Sequence, residues 1–210
     1  MKTNTRPAAA FRPAVLLTGF GPFPGVADNV SGRLVEALRQ RAARKFPHYR
    51  FACEVLDTEW RQAPARIGAL IEDLQPVLSL HFGVAQGSRT LRIETQASNL
   101  CRSAVDAAGL PPLSPLLVRD GAAFHQASIP VSDIYQKLEQ RGVPVSISDD
   151  AGGYLCNAVL YQSLSHSRAQ GRPAMSGFIH LPDDLSRPPL TFSVALNACL
   201  IVIETCLANG

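Results

Sequence analysis

Apolar runs alternate along this chain with stretches in which the apolar positions recur every three or four residues. Ala14 to Thr18 is an uninterrupted apolar run, as expected of a strand buried on both faces. From Ser31 to Lys45, Leu34, Val35 and Leu38 fall on one helical face, with Asn29 or Ser31 as the cap. Residues 49–55 alternate as a strand. Arg61 to Leu74 reads as a helix, with Ile67, Leu70, Ile71 and Leu74 inward and Pro76 as its stop. Val77 to Phe82 is the next strand. It leads through a glycine loop, Gly83 to Gly87, into an extended alternating segment from Thr90 to Ala97. Ser132 caps a helix to Gln140 that Gly142 ends. A strand over 143–147, a helix carrying Cys156, a strand from Met175 to Leu181 and a helix from Phe192 to Ala208 complete the pattern.

Strands and helices alternate throughout, which predicts a three-layer α/β/α fold: a mostly parallel twisted sheet with helices on both faces. A single domain is expected over 13–210. Residues 1–12, polar and rich in proline and alanine, are expected to be disordered. The region from Cys101 to Ala127, with Pro111, Pro112 and Pro115, is the least regular. It reads as a surface excursion of the kind that forms lids or binding loops.

The formal charge of +3 is spread along the chain, and no basic patch carries interleaved aromatics, so no nucleic-acid partner is expected. No run is long enough to span a bilayer. Ala195 to Leu207, the most apolar, is interrupted by Asn197, Glu204 and Thr205. The apolar run near the N-terminus is too short for a signal-peptide core. Five cysteines, an odd count without a CxxC pair, argue against a disulfide framework and a zinc site, and for reduced thiols in the cytoplasm. With no HExxH or EF-hand pattern, neither metal nor cofactor is expected.

In such folds ligands bind beyond the carboxyl ends of the strands. That rule selects Gly19 to Gly25, Gly83 to Gly87, Asp149 to Cys156, and His180 to Pro182. In the third, Gly152-Gly153 delivers Cys156 into the first turns of a helix, where unpaired N–H groups favour a thiolate, the form that attacks a carbonyl carbon. Against that stands the ordinary role of a cysteine in an apolar helix, that of a small core residue. The loop Gly19-Phe-Gly-Pro-Phe-Pro-Gly25 lacks the dinucleotide spacing, and Pro22 and Pro24 remove N–H groups a phosphate would need. Phe20 and Phe23 either stack on a flat neutral ring or plug the core beneath the loop.

A thiol nucleophile needs a base. His166 lies ten residues along the same helix, about 15 Å away at 1.5 Å per residue, too far to share a proton. His180, at the end of the next strand, is the candidate; its ordinary alternative is a satisfied buried histidine. Glu94, Asp149, Asp150, Asp183 and Asp184 are all candidates for the acceptor that orients the base, and spacing does not choose among them.

These segments together resemble the pyrrolidone carboxyl peptidases (pyroglutamyl peptidase I), cysteine peptidases that remove N-terminal 5-oxoproline. The similarity runs from Val15 to about Ala208 and rests on LLTGFGPFPG (16–25), HFGVAQGSRTLRIETQASNL (81–100), SDDAGGYLCNAVLYQSL (148–164) and GFIHLP (177–182). The resemblance implies Cys156 as nucleophile, His180 as base and Glu94 as its orienter. Phe20, Phe23, Val84, Tyr154 and Leu155 would form the pocket for the lactam ring. It implies N-terminally pyroglutamylated peptides as substrates, no cofactor, and a homodimer or homotetramer to which the apolar final helix contributes. Val84 and Thr95 stand where some members have glutamine and arginine, and Arg102 is the nearest arginine after the Asn-Leu pair. The rival readings are a non-catalytic or weakly active homologue that binds small cyclic amides, and a nucleoside phosphorylase, which the proline-blocked loop disfavours.

Overall fold

A computed structural model describes residues 12–169, 171 and 174–209, so all but the last residue of the segment expected to be disordered lies outside it. The first strand, β1 (Ala14–Phe20), is buried at all seven positions, as an apolar run without alternation requires. It pairs in parallel with β2 (Arg50–Leu56) on one side and β3 (Leu78–Ala85) on the other. Outward from β3 follow β8 (Met175–Pro182), β4 (Leu91–Glu94) and β7 (Val145–Ser148), giving the order β2-β1-β3-β8-β4-β7. The sheet is parallel except where β4 runs against β8.

Helices cover both faces. Val15 and Leu17 of β1 join α1 (Val30–Lys45), α3 (Val131–Glu139) and α5 (Phe192–Ala208) in one core. Leu16, pointing the other way, joins α2 (Ala63–Leu74) and α4 (Leu155–Ala169) in the second. Burying each such leucine or isoleucine stabilises the fold by about 1.5–3 kcal/mol. The apolar character of α5 is used inside the first core, through Leu196, Val202 and Ile203.

Local chemistry corrects several boundaries. Asn29 is the cap of α1, its side chain accepting from Ser31 N–H at 3.1 Å. Ser132 is not the cap of α3: that position is Pro130, and the helix starts at Val131 without a side-chain cap. The alternating segment 90–97 is two strands in two sheets. At Thr95 both the backbone N–H and the hydroxyl donate to the Ser148 carbonyl, which ends pairing in the main sheet. The chain then forms β5 (Gln96–Ser98), antiparallel to β6 (Phe124–Gln126).

The excursion after Cys101 is pinned rather than loose. The Asp106 carboxylate, 2% exposed, accepts from the N–H groups of Trp60, Ala108 and Leu110. Those bonds hold its carboxyl below the usual range against the opposing effect of burial. Further along, the Tyr161 hydroxyl donates to the Ala122 carbonyl at 2.7 Å.

Candidate active site

The strand β7 ends at Ser148 and the chain turns sharply before α4. Asp150 accepts from the Gly152 N–H at 2.8 Å, and Gly152 takes a positive φ of 81° that other residues rarely adopt. Cys156 is therefore the second residue of α4, in the turn whose N–H groups have no intrahelical acceptor. Asn157 bolts this end of the helix to the neighbouring segment: it accepts from Ser98 N–H and donates to the carbonyls of Ser98 and Leu100.

The sulfur lies against bare backbone. A Cβ built on Gly83 would come within 2.7 Å of Cys156 Sγ and of the Phe178 ring, so only glycine leaves room for the thiol there. In the β3–β8 register Gly83 is the partner of His180. The same contact therefore sets the thiol beside the imidazole, near enough for its charge to act on His180. On its other side His180 Nδ1 donates to Glu94 Oε1 at 2.7 Å. Glu94 is fully buried and His180 6% exposed. Burial alone would lower the His180 pKa. The charge of a Cys156 thiolate and contact with its sulfur, the hydrogen bond to Glu94, and the Glu94 charge outweigh it and hold the imidazolium up to about 9.

These groups open onto a cavity of about 460 Å³. Phe20, Phe23, Val84, Tyr154, Leu155, Cys156 and His180 all line it, and Glu94 sits beneath it. Phe20 is chiefly a core residue, 3% exposed. Phe23 is half-buried, its ring centroid 6.0 Å from that of Tyr154, and Tyr154 meets Trp60 edge-on at 5.2 Å. Asn29 and Thr58 steady the first loop, both donating to the Gly21 carbonyl at 2.9 Å.

Of the other acidic candidates, Asp150 is in the turn, Asp183 accepts from Gly87 N–H and Asp184 from Ser186 N–H. Asp149 gives only its carbonyl, to Gln96. His166 is spoken for between α2 and α4, 3.5 Å from Glu72 and 2.8 Å from Gln162. Arg102 lines the cavity and packs on Gly153, while Thr95 does not line it. Among the described residues no cluster of three or more histidine, cysteine or acidic side chains is arranged to hold a metal.

The sequence reading missed Arg92, which also lines the cavity. The signal was present: period-two alternation puts residues 92 and 94 on the same face of β4. It missed Trp60 too, whose ring supports Tyr154 and whose indole N–H donates to Ala104.

An α/β sheet presenting a thiol, an imidazole and a buried carboxylate in sequence at its strand ends defines a thiol hydrolase. The pattern of the pyroglutamyl peptidase family matches residues 13–207, and the chain belongs to that family. It is 32% identical over 205 residues to the pyrrolidone-carboxylate peptidase of Pyrococcus furiosus, covering 92% of this chain and 97% of that one. It is likewise 32% identical over 168 residues to the enzyme of Oceanobacillus iheyensis, covering 80% and 83%. A crystal structure of the Pyrococcus furiosus pyrrolidone carboxyl peptidase superposes with a TM-score of 0.85 at 30% identity, covering 93% and 99% of the two chains.

Proposed function

We propose that this protein is a cysteine peptidase of the omega class that hydrolyses the bond after an N-terminal pyroglutamate. The observation that carries the reading is the convergence of Glu94, His180 and Cys156, with a 2.7 Å carboxylate–imidazole hydrogen bond and the sulfur packed on the Gly83 backbone beside His180, at the floor of a cavity walled by aromatic rings. The Cys156 thiolate attacks the carbonyl carbon of pyroglutamate and forms a thioester as the C–N bond breaks. His180 gives its proton to the departing amine. Water, deprotonated by His180, then releases 5-oxoproline and restores the thiol–imidazole pair. Glu94 keeps the ring oriented and stabilises its charge. N–H groups of the first α4 turn face the developing oxyanion, each such donor being worth about 3 kcal/mol.

The lactam ring carries no charge, which suits a pocket of Phe20, Phe23, Val84, Tyr154 and Leu155. The direct test is release of a chromogenic amine from a pyroglutamyl amide, inhibited by 2-pyrrolidone. No release, with folded protein, would leave the non-catalytic binder as the reading. An intact triad around a half-buried thiol favours the enzyme.

Phe23→Ala is expected to raise KM about tenfold with a smaller change in kcat, since offset ring contacts are worth about 0.5–1.5 kcal/mol beyond burial. Phe20→Ala is expected chiefly to destabilise, by about 3–5 kcal/mol in denaturant unfolding, because it empties core volume. An unchanged KM in the Phe23 variant would count against ring stacking.

The pH profile follows from His180. The imidazolium must donate to the leaving amine, so kcat/KM is expected to fall as pH rises through about 9. The same proton is linked to folding. It is held more tightly in the folded chain than at the ordinary 6.5, so its contribution to stability is complete below about pH 6.5 and fades as pH climbs through about 9. An alkaline limb that stays flat past pH 10 would contradict both statements.

We also infer a reducing compartment, the cytoplasm, and a homodimer or homotetramer. Free cysteines throughout, including the half-buried Cys156, support the first. Exposed Leu113, Leu116 and Phe124 on the excursion and Leu100 just before it, rather than α5, support the second. Among the described residues no helix is long and apolar enough to cross a membrane.

A further inference from the structure

Arg92 lies two residues before Glu94 on β4, and in the antiparallel β4–β8 pair its register partner is His180 itself. Residues so opposed hold their Cβ atoms about 5 Å apart on one face of the sheet. The side chain lines the same cavity as Cys156 and is half-buried. It donates one hydrogen bond, 3.2 Å to Ser148 Oγ. Among the described residues no carboxylate pairs with it: Glu94 is taken by His180, and Asp150 lies 3.8 Å from Arg102. Most of the fork of N–H donors on this guanidinium is therefore unengaged, beside the group that must protonate the leaving amine. Nor is Arg92 among the charges that set the His180 proton, which are those of Cys156 and Glu94.

A half-buried guanidinium without a counter-ion is built to receive one, and its planar fork matches a carboxylate. With the scissile nitrogen within hydrogen-bond reach of His180, a carboxylate carried by the leaving residue is only a few bonds further on. We propose that Arg92 is a specificity-determining residue that binds a carboxylate on the residue following pyroglutamate. Two sources share that chemistry: the free α-carboxylate of a pyroglutamyl dipeptide, and the side chain of an acidic residue in that position. Arg102 does not serve, being 72% exposed and already beside Asp150. The inference rests on the peptidase reading above.

The test compares kcat/KM within two pairs of substrates. One pair is pyroglutamyl-alanine and its amide; the other is pyroglutamyl-glutamate amide and pyroglutamyl-glutamine amide. A charge-assisted pair predicts a preference of about tenfold or more for the carboxylate-bearing member of at least one pair. In Arg92→Gln that ratio is expected to collapse below about twofold, with Arg92→Lys in between because a point charge lacks the fork. A ratio within one protein preparation is insensitive to partial unfolding of a variant. The pair that shows the effect identifies which carboxylate is read. Ratios near one in both pairs of the native protein, or a preference that survives in Arg92→Gln, overturn the assignment while the peptidase reading stands. Failure to cleave all four substrates removes that reading and this inference with it.

Discussion

Cys156→Ala is expected to lower kcat/KM on a pyroglutamyl amide by about 10⁴-fold or more, since losing the nucleophile leaves only binding and the oxyanion site. Cys156→Ser is expected to do nearly as badly. A hydroxyl beside His180 does not ionise as a thiol does, so the serine oxygen stays protonated and a weak nucleophile. Both variants should remain folded. Cys156 is only half-buried, and the bolts that hold this end of α4 are made by Asn157 and the Asp150–Gly152 turn, not by the sulfur. Unfolding midpoints close to that of the native protein, with amine release lost, are the expected pair of results. Substantial turnover by the alanine variant would refute the nucleophile assignment. Fast labelling of one thiol by iodoacetamide near neutral pH, absent in Cys156→Ala, is the companion measurement. Cys199 and Cys206 are buried, and burial pushes Cys206 up to about 12 and Cys199 higher still, so neither competes.

Glu94→Gln is expected to cost about 10²–10⁴-fold in kcat, with KM little altered because Glu94 lies beneath the cavity rather than in it. The amide keeps the size but not the charge. Its carbonyl can still accept from Nδ1, yet it no longer stabilises the imidazolium, so the alkaline limb is expected to move below about 9. That shift separates an orienting role from a merely structural one. Glu94→Ala is the harsher change: it opens a void and strips the buried imidazolium of its carboxylate partner, a loss of about 3–5 kcal/mol in unfolding free energy. One oxygen, Oε2, has no partner among the described residues, so the buried charge is balanced almost wholly by His180. A Glu94→Gln protein with native kcat and an unmoved limb would return Glu94 to the ranks of ordinary buried acids.

The comparison between chain and structure turns on distance. The layers were legible because burial and periodicity are local properties. β1 had to be a buried strand because four consecutive apolar residues from Ala14 to Leu17 leave neither face for water, and the one polar side chain, Thr18, finds its partner inside at His81. Phe192 to Ala208 was readable because its apolar positions are dense enough to outlast the interruptions at Asn197, Glu204 and Thr205; the structure adds Thr191 as its cap. Cys156 at a helix start, and His166 too far along that helix to help, were equally local. Where the reading slipped, a contact from elsewhere in the chain had overruled local preference. Thr95 leaves the strand because the Ser148 carbonyl takes its N–H and hydroxyl, and the excursion is ordered because Trp60, in the turn before α2, and Tyr161, on α4, reach it from elsewhere in the chain.

What the chain alone determined, then, is the alternating α/β order, the helix-start thiol and the set of candidate partners, since each depends on neighbours within a few residues. Tertiary structure alone decided which carboxylate meets His180, that Gly83 is bare so the sulfur can lie beside the imidazole, and that Arg92 stands across from it without a counter-ion. Those outcomes depend on strand order and register, above all on β8 lying between β3 and an antiparallel β4. They join residues some ninety positions apart, and sheet pairing across such separations is set by the packing of whole faces, not by any local pattern.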